Sequence, residues 1–280
     1  MLPKIVKSIS EMKSVSAALN GSIGFVPTMG YLHEGHLSLV RASKAECDFT
    51  IVSIYVNPSQ FGENEDLSSY PRDFDNDIKL LSDLDVDIIF FPSNDEMYPI
   101  GFKTWIVTDE ITNILCGKSR PNHFKGVTTI VAKLVNIVKP QLMLMGEKDF
   151  QQIVVLETML KDLNFECKIR RCGIVRESDG LAMSSRNKYL NTDDRKKALC
   201  LSKSLVETQK LFSDGTDDPG KIISEISKII QNSNGKIDYI EIVDSVTLKS
   251  VSVVQNGNRI LLAVKIAETR LIDNIELVSH

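Results

Sequence analysis

The sequence predicts an α/β protein: a Rossmann-like parallel sheet domain with helices on both faces, followed by a small α+β C-terminal domain. Three observations carry this expectation. Short apolar runs that do not alternate with polar residues recur through the first part of the chain, and strands of that kind are buried on both faces, as in parallel sheets. Segments with apolar residues at helical spacing lie between them. Beyond about Val175 the order changes to helices followed by strands, the pattern of a separate α+β unit.

The elements follow in order. Ser8 and Glu11 have the spacing of a capping box and open a helix to about Leu19. A strand over 23–26 is broken by Pro27 and Gly30, and helical periodicity resumes from about His36. Strands are predicted over 49–56, 86–91, 142–145 and 165–170, and helices over 73–84, 127–138 and 149–161. Thr192 is placed to cap a helix whose first turn carries Asp193 and Asp194, favourable against the helix dipole. A Gly-, Asp- and Pro-rich loop over 213–220 leads to a helix ending near Ile230, and strands are predicted over 237–243, 259–266 and 270–277. The expected domains are 1–175 and 176–280.

Composition narrows the function classes. A net charge of −4 across 280 residues argues against a broad basic nucleic-acid footprint. No apolar run approaches the roughly 18 residues that span a bilayer, and residues 1–7 lack the apolar core of a secretory signal. The five cysteines (Cys47, Cys116, Cys167, Cys172 and Cys200) are odd in number and scattered. That is neither a disulfide framework nor a zinc cluster, so a cytoplasmic location without membrane or nucleic-acid partners is expected.

The stretch Phe25-Val-Pro-Thr-Met-Gly-Tyr-Leu-His-Glu-Gly-His36 carries the first chemical signal. His33 and His36 stand three residues apart at a helix start and can face one way. A helix N-terminus offers unpaired N–H groups to an anion, and Gly35 lets a ligand approach the backbone. The zinc-protease signature needs histidines four apart and further ligands, so a phosphate site fits better. Other clusters keep this one company: Asn57-Pro-Ser-Gln-Phe61 with Glu65 and Tyr70, Arg120-Pro-Asn-His123 through Gly126, Gly146-Glu-Lys-Asp149 with Gln152, and Arg176 through Met183-Ser-Ser-Arg186.

With these motifs the chain resembles the pantothenate synthetase (pantoate–β-alanine ligase) family over essentially its whole length. That family belongs to the nucleotidylyl-transferase superfamily; His33-Glu-Gly-His36 stands in place of its HIGH motif and Met183-Ser-Ser-Arg186 in place of KMSKS. The resemblance implies ATP-dependent joining of pantoate to β-alanine through a pantoyl adenylate, with release of pyrophosphate and AMP. It implies that His33, His36, Lys148, Ser184, Ser185 and Arg186 act on the phosphates. Pro27, Thr28, Met29, Gly35, Gly146, Asp149, Val175 and Met183 complete the ATP site, and Met29, Asn57, Gln60, Phe61 and Gln152 hold pantoate. Tyr70, Arg120 and His123 take a loop or dimer role. Asp77 lies near Mg²⁺-ATP, although Asn76 replaces the acid that adjoins it in the family. A homodimer is implied as well.

Rival readings make different demands. An enzyme moving AMP onto a phosphate would share the histidines but need no pair of substrate-binding glutamines. A covalent lysyl-adenylate ligase would need Lys-x-Asp-Gly, whereas Lys148-Asp149 is followed by Phe150. A tRNA synthetase is disfavoured by the acidic balance. A regulatory ATP-binding module would bind nucleotide without producing pyrophosphate.

Overall fold

Six short strands, β1 (Lys4–Val6), β2 (Ile23–Thr28), β3 (Phe49–Ile54), β4 (Ile88–Phe90), β5 (Leu142–Gly146) and β6 (Lys168–Cys172), pair in parallel in the order β1-β4-β3-β2-β5-β6. Between them run α1 (Ile9–Ala18), α2 (Glu34–Glu46), α3 (Phe74–Asp83), α4 (Asn94–Met97), α5 (Cys116–Ser119), α6 (His123–Val138) and α7 (Phe150–Asp162). The computed structural model describes residues 2–63 and 65–279. It divides into two units: the chain up to Glu147 with Gln152–Gly173, and Lys148–Gln151 with the chain from Ile174 onward.

The sheet of the first unit is covered on both faces, as its apolar runs predict. Alternate strand residues Phe25, Ile51, Phe90 and Met143 pack with Met12 of α1, Val131 of α6 and Leu156 of α7. Their neighbours Val26, Val52, Ile89 and Leu144 pack with Leu39 and Val40 of α2 and Leu81 of α3. Each fully buried side chain of this size contributes about 1.5–3 kcal/mol. The strand order reverses between β2 and β5: α2 leads from β2 to β3 on one side, and α7 leads from β5 to β6 on the other. In open α/β sheets ligands bind outside the carboxyl ends of the strands at such a reversal. The turn after β2 carries His33 and His36; the turn after β5 carries Lys148.

In the second unit, α8 (Thr192–Ala198), α9 (Cys200–Ser213) and α10 (Pro219–Asn232) precede an antiparallel sheet of β7 (Lys236–Val243), β8 (Arg259–Ile266) and β9 (Thr269–Glu276). Ile222, Ile226 and Ile230 form an i, i+4 stripe on α10 that meets Leu201 and Leu205 of α9 and Ile242 and Leu262 of the sheet. Among the described residues no helix is long and apolar enough to cross a membrane.

Several local expectations are corrected. The sequence does not announce β1, because three residues carry no readable periodicity. The helix expected from about His36 begins at Glu34 with His33 as its N-cap. α6 begins at His123 rather than 127. The cap expected at Thr192 is Asn191, whose side-chain oxygen accepts from the N–H groups of Asp193 (2.9 Å) and Asp194 (2.8 Å).

Candidate active site

The paired histidines cap their own helix. His33 Nδ1 accepts from Gly35 N–H at 3.2 Å, and His36 Nδ1 accepts from His33 N–H at 3.3 Å, a reciprocal capping box. The rings lie with centroids 4.1 Å apart. A nitrogen that accepts carries no proton, so each neutral ring bears its hydrogen on Nε2. The cap therefore satisfies two helix-start donors through the Nδ1 atoms of both rings. Pro27 lies in β2 beyond the pairing with β5, which covers only Gly24 and Phe25, so its missing N–H breaks no bond on that side. Thr28 hydroxyl donates to Ser53 O at 2.8 Å and accepts from Gly30 N–H at 3.2 Å, tying the chain where it leaves the strand.

Asp77 holds this turn from α3. Its carboxylate accepts from Tyr31 N–H at 2.8 Å and Leu32 N–H at 2.7 Å, and the side chain is 1% exposed. Gly30 has φ +79°, and a Cβ there would come within 3.0 Å of the Asp77 carboxylate, so the sharp turn needs glycine. Burial pushes the Asp77 carboxyl up, more than the Leu32 and Tyr31 amides pull it down. A buried carboxylate whose two oxygens each accept a backbone N–H does not fit the magnesium role. Nor do the described residues contain a group of three or more His, Cys, Asp or Glu side chains able to hold a metal ion.

The residues after β3 form a wired turn. Asn57, 1% exposed, accepts through Oδ1 from Ser59 hydroxyl (2.9 Å) and Tyr98 hydroxyl (3.0 Å). Its Nδ2 donates to Gln60 Oε1 at 3.1 Å and to Gly126 O at 3.2 Å. This ordering leaves Gln60 Nε2 to donate to Met29 Sδ at 3.2 Å. His123 Nδ1 donates to Gln60 O at 2.8 Å, and its other nitrogen accepts from Arg120 at 3.1 Å. Arg120 grips Glu65 with two bonds of 2.6 and 2.5 Å. Arg120 and His123 both bond to the Gln60 main-chain oxygen. Tyr70 is buried edge-on against Phe61, centroids 5.8 Å apart. Gly146 ends β5, and Gln152 is half-buried on the first turn of α7.

The remaining predicted residues lie in the second unit. Burial pushes the Lys148 ammonium below its ordinary range; Asp149 raises it, Arg186 lowers it and Asp273 raises it. Met183 N–H donates to Val175 O at 3.0 Å. Ser184 caps the turn Ser185–Tyr189, its hydroxyl accepting from Arg186 N–H at 3.3 Å. Glu177 holds that turn by accepting from Asn187 Nδ2 (2.7 Å) and Arg195 (2.6 Å). Sequence reasoning missed the anchoring work of Glu65, Glu177, Asn187 and Arg195. Their partners stand 10 to 55 positions away, beyond the reach of any local spacing.

A parallel sheet whose order reverses beside a histidine-capped helix defines an α/β protein built to receive an anion at its strand ends. The comparisons with known proteins make this specific. The sequence model of the family described as pantoate-beta-alanine ligase matches residues 4–276. A pantothenate synthetase of Sulfurihydrogenibium sp. (strain YO3AOP1) is 52% identical over 98% of this chain and 99% of that protein. The crystal structure of pantothenate synthetase from Thermus thermophilus superposes with a TM-score of 0.94 at 40% identity, covering 98% of this chain and 99% of that one. A crystal structure of pantoate-beta-alanine ligase from Francisella tularensis, complexed with beta-gamma ATP and beta-alanine, gives 0.84 at 38% identity, covering 98% and 97%. The chain belongs to the pantoate–β-alanine ligase family.

Proposed function

We propose that the protein condenses pantoate with β-alanine in two steps at the expense of ATP. The pantoate carboxylate attacks the α-phosphorus of ATP, forming pantoyl adenylate and expelling pyrophosphate. The β-alanine amine then attacks the acyl carbon, the bond to AMP breaks, and the amine proton is lost to solvent. The reciprocal cap of His33 and His36 at the carboxyl end of β2 is the observation that best supports an anion-handling first step.

Each group has a task in this reading. His33 and His36 donate N–H bonds to phosphate oxygens; Lys148, Ser184, Ser185 and Arg186 supply further donors where negative charge grows. One well-placed donor of this kind is typically worth about 2.7–4 kcal/mol in the transition state. Pro27, Thr28, Met29, Gly35, Gly146, Asp149, Val175 and Met183 shape the nucleotide site. Gln60, its Oε1 held by Asn57 Nδ2, and Gln152 bond the hydroxylated acid, while Met29 and Phe61 cover it. Magnesium enters as the counterion of the substrate ATP, and no residue of the chain is assigned to it.

Five free cysteines fit a reducing, cytoplasmic setting. The exposed Ile100, Trp105 and Val107 offer apolar surface for a second copy, and sedimentation would report the dimer. The deciding assay follows AMP with pantoate and β-alanine omitted in turn. AMP release needing both substrates supports the ligase; pyrophosphate release with AMP transferred onto a phosphate acceptor, and no free AMP, overturns it. Gln152→Ala should raise the KM for pantoate more than that for ATP, and equal rises would remove the pantoate assignment.

A further inference from the structure

We propose that Asn274 is a positioning residue for Lys148, itself oriented by Arg259. The proposal rests on the phosphate role assigned to Lys148 above. The segment Lys148–Gln151 groups with the second unit, and the bond that ties it there comes from β9. Asn274, 2% exposed, donates from Nδ2 to the main-chain oxygen of Lys148 at 3.0 Å. Its Oδ1 accepts from Arg259 Nη1 at 2.7 Å. Arg259 projects from the neighbouring strand β8, is 4% exposed, and lays its guanidinium 4.1 Å from the ring centre of Phe150. Its Nη2 reaches Glu276 at 2.9 Å.

Stability alone gives little reason to keep this network. A buried guanidinium is costly to desolvate, and apolar residues of like volume often serve as well or better. The network ends, moreover, on the residue of the β5–α7 turn assigned to the phosphates. A lysine carries its charge on a flexible stem with rotatable donors, so its reach depends on where its main chain is fixed. Asn274 fixes the carbonyl of Lys148, and Arg259 fixes both the amide that does so and the ring of Phe150 two residues on. The amide N–H of Asn274 also donates to Asp273 at 2.8 Å, and Asp273 grips Arg176 through bonds of 2.7 and 2.9 Å. One buried strand therefore braces Lys148 together with Arg176, which bridges to Ala182, the residue before Met183.

The test is a double-mutant cycle on the full chain, reading kcat for AMP release, the KM for pantoate and thermal unfolding. Asn274→Asp keeps the shape and the Arg259 bond but removes the donor to Lys148; Asn274→Ala removes both. A misplaced catalytic group can cost about 10²-fold. Either variant should lower kcat at least tenfold with the pantoate KM unchanged, and should add less than twofold loss in a Lys148→Ala background. Asn274→Asp with wild-type kcat, while Lys148→Ala is impaired, overturns the proposal and leaves the Lys148 role standing. So does a loss that multiplies undiminished onto Lys148→Ala. Wild-type turnover in Lys148→Ala itself removes the phosphate role, and the positioning claim with it. If Asn274→Ala does not fold, Asn274→Asp decides alone.

Discussion

In the Asp77→Asn variant one carboxylate oxygen becomes an amide that can only donate, facing a backbone N–H that also donates. Asp77 accepts from Tyr31 and Leu32 at 2.8 and 2.7 Å with 1% of its surface exposed, so water cannot replace the lost acceptor. A hydrogen bond to a charged group contributes about 1.5–3 kcal/mol, and a buried donor left unpaired costs about 1–3 kcal/mol. Because these overlap, the expected loss of folding stability is about 2–4 kcal/mol. It should appear in urea unfolding as a lower midpoint with an unchanged slope. The same release lets the turn before His33 move, so kcat should fall about tenfold or more in a variant that remains folded. A magnesium ligand would behave differently: stability would stay within about 0.5 kcal/mol, and the magnesium dependence of the rate would shift instead. That second outcome refutes the reasoning.

Further outcomes are expected. His36→Ala should lower kcat by about 10²–10³ with the fold intact by circular dichroism; wild-type turnover would remove His36 from the chemistry. Gly126→Ala places a Cβ 2.4 Å from Ser59 O and 2.7 Å from Gln60 Cα. Overpacking of this kind costs about 1–3 kcal/mol, and kinetics should show a raised pantoate KM. For Glu65, burial pushes the carboxyl up, but Arg120 bonding and charge bring it below its ordinary value. A depressed folded pKa gives stability that is present above the unfolded value of about 4.3 and is lost as pH falls through the folded one. Glu65→Gln should thus cost about 1–3 kcal/mol at neutral pH, and a difference from wild type that persisted undiminished in strong acid would contradict that sign.

Much of the fold is legible because its signals are local. The runs at Phe25–Val26, Ile51–Val52 and Met143–Leu144 show no polar alternation, so a sheet covered on both faces follows from their composition. The histidine spacing also survives translation into structure, as a pair of rings on one helix start. What escaped depends on partners distant in sequence. β1 exists because Lys4, Ile5 and Val6 find Ile88, Ile89 and Phe90, a pairing no window of three residues could announce. α6 starts at His123 after Asn122 in a left-handed conformation without a side-chain cap, so no capping residue marked the place. Asp77 is a metal candidate by family resemblance alone; only the fold shows the amides of Tyr31 and Leu32 against it. Likewise, no linear boundary could assign Lys148–Gln151 to the unit that begins again at Ile174.

The tautomer lock at the start of α2 has a consequence for the end of the catalytic cycle. A binding site made wholly of fixed cations would hold the departing diphosphate as firmly as the incoming nucleotide, and turnover would wait on its escape. In the reading proposed above, His33 and His36 add N–H donors beside the cations Lys148 and Arg186, with their Nδ1 atoms occupied by the helix start. Their grip is therefore short-ranged and directional, strong only while an oxygen sits in line with the N–H. Once the leaving group has drifted out of line, the histidines' share of the hold on it is gone.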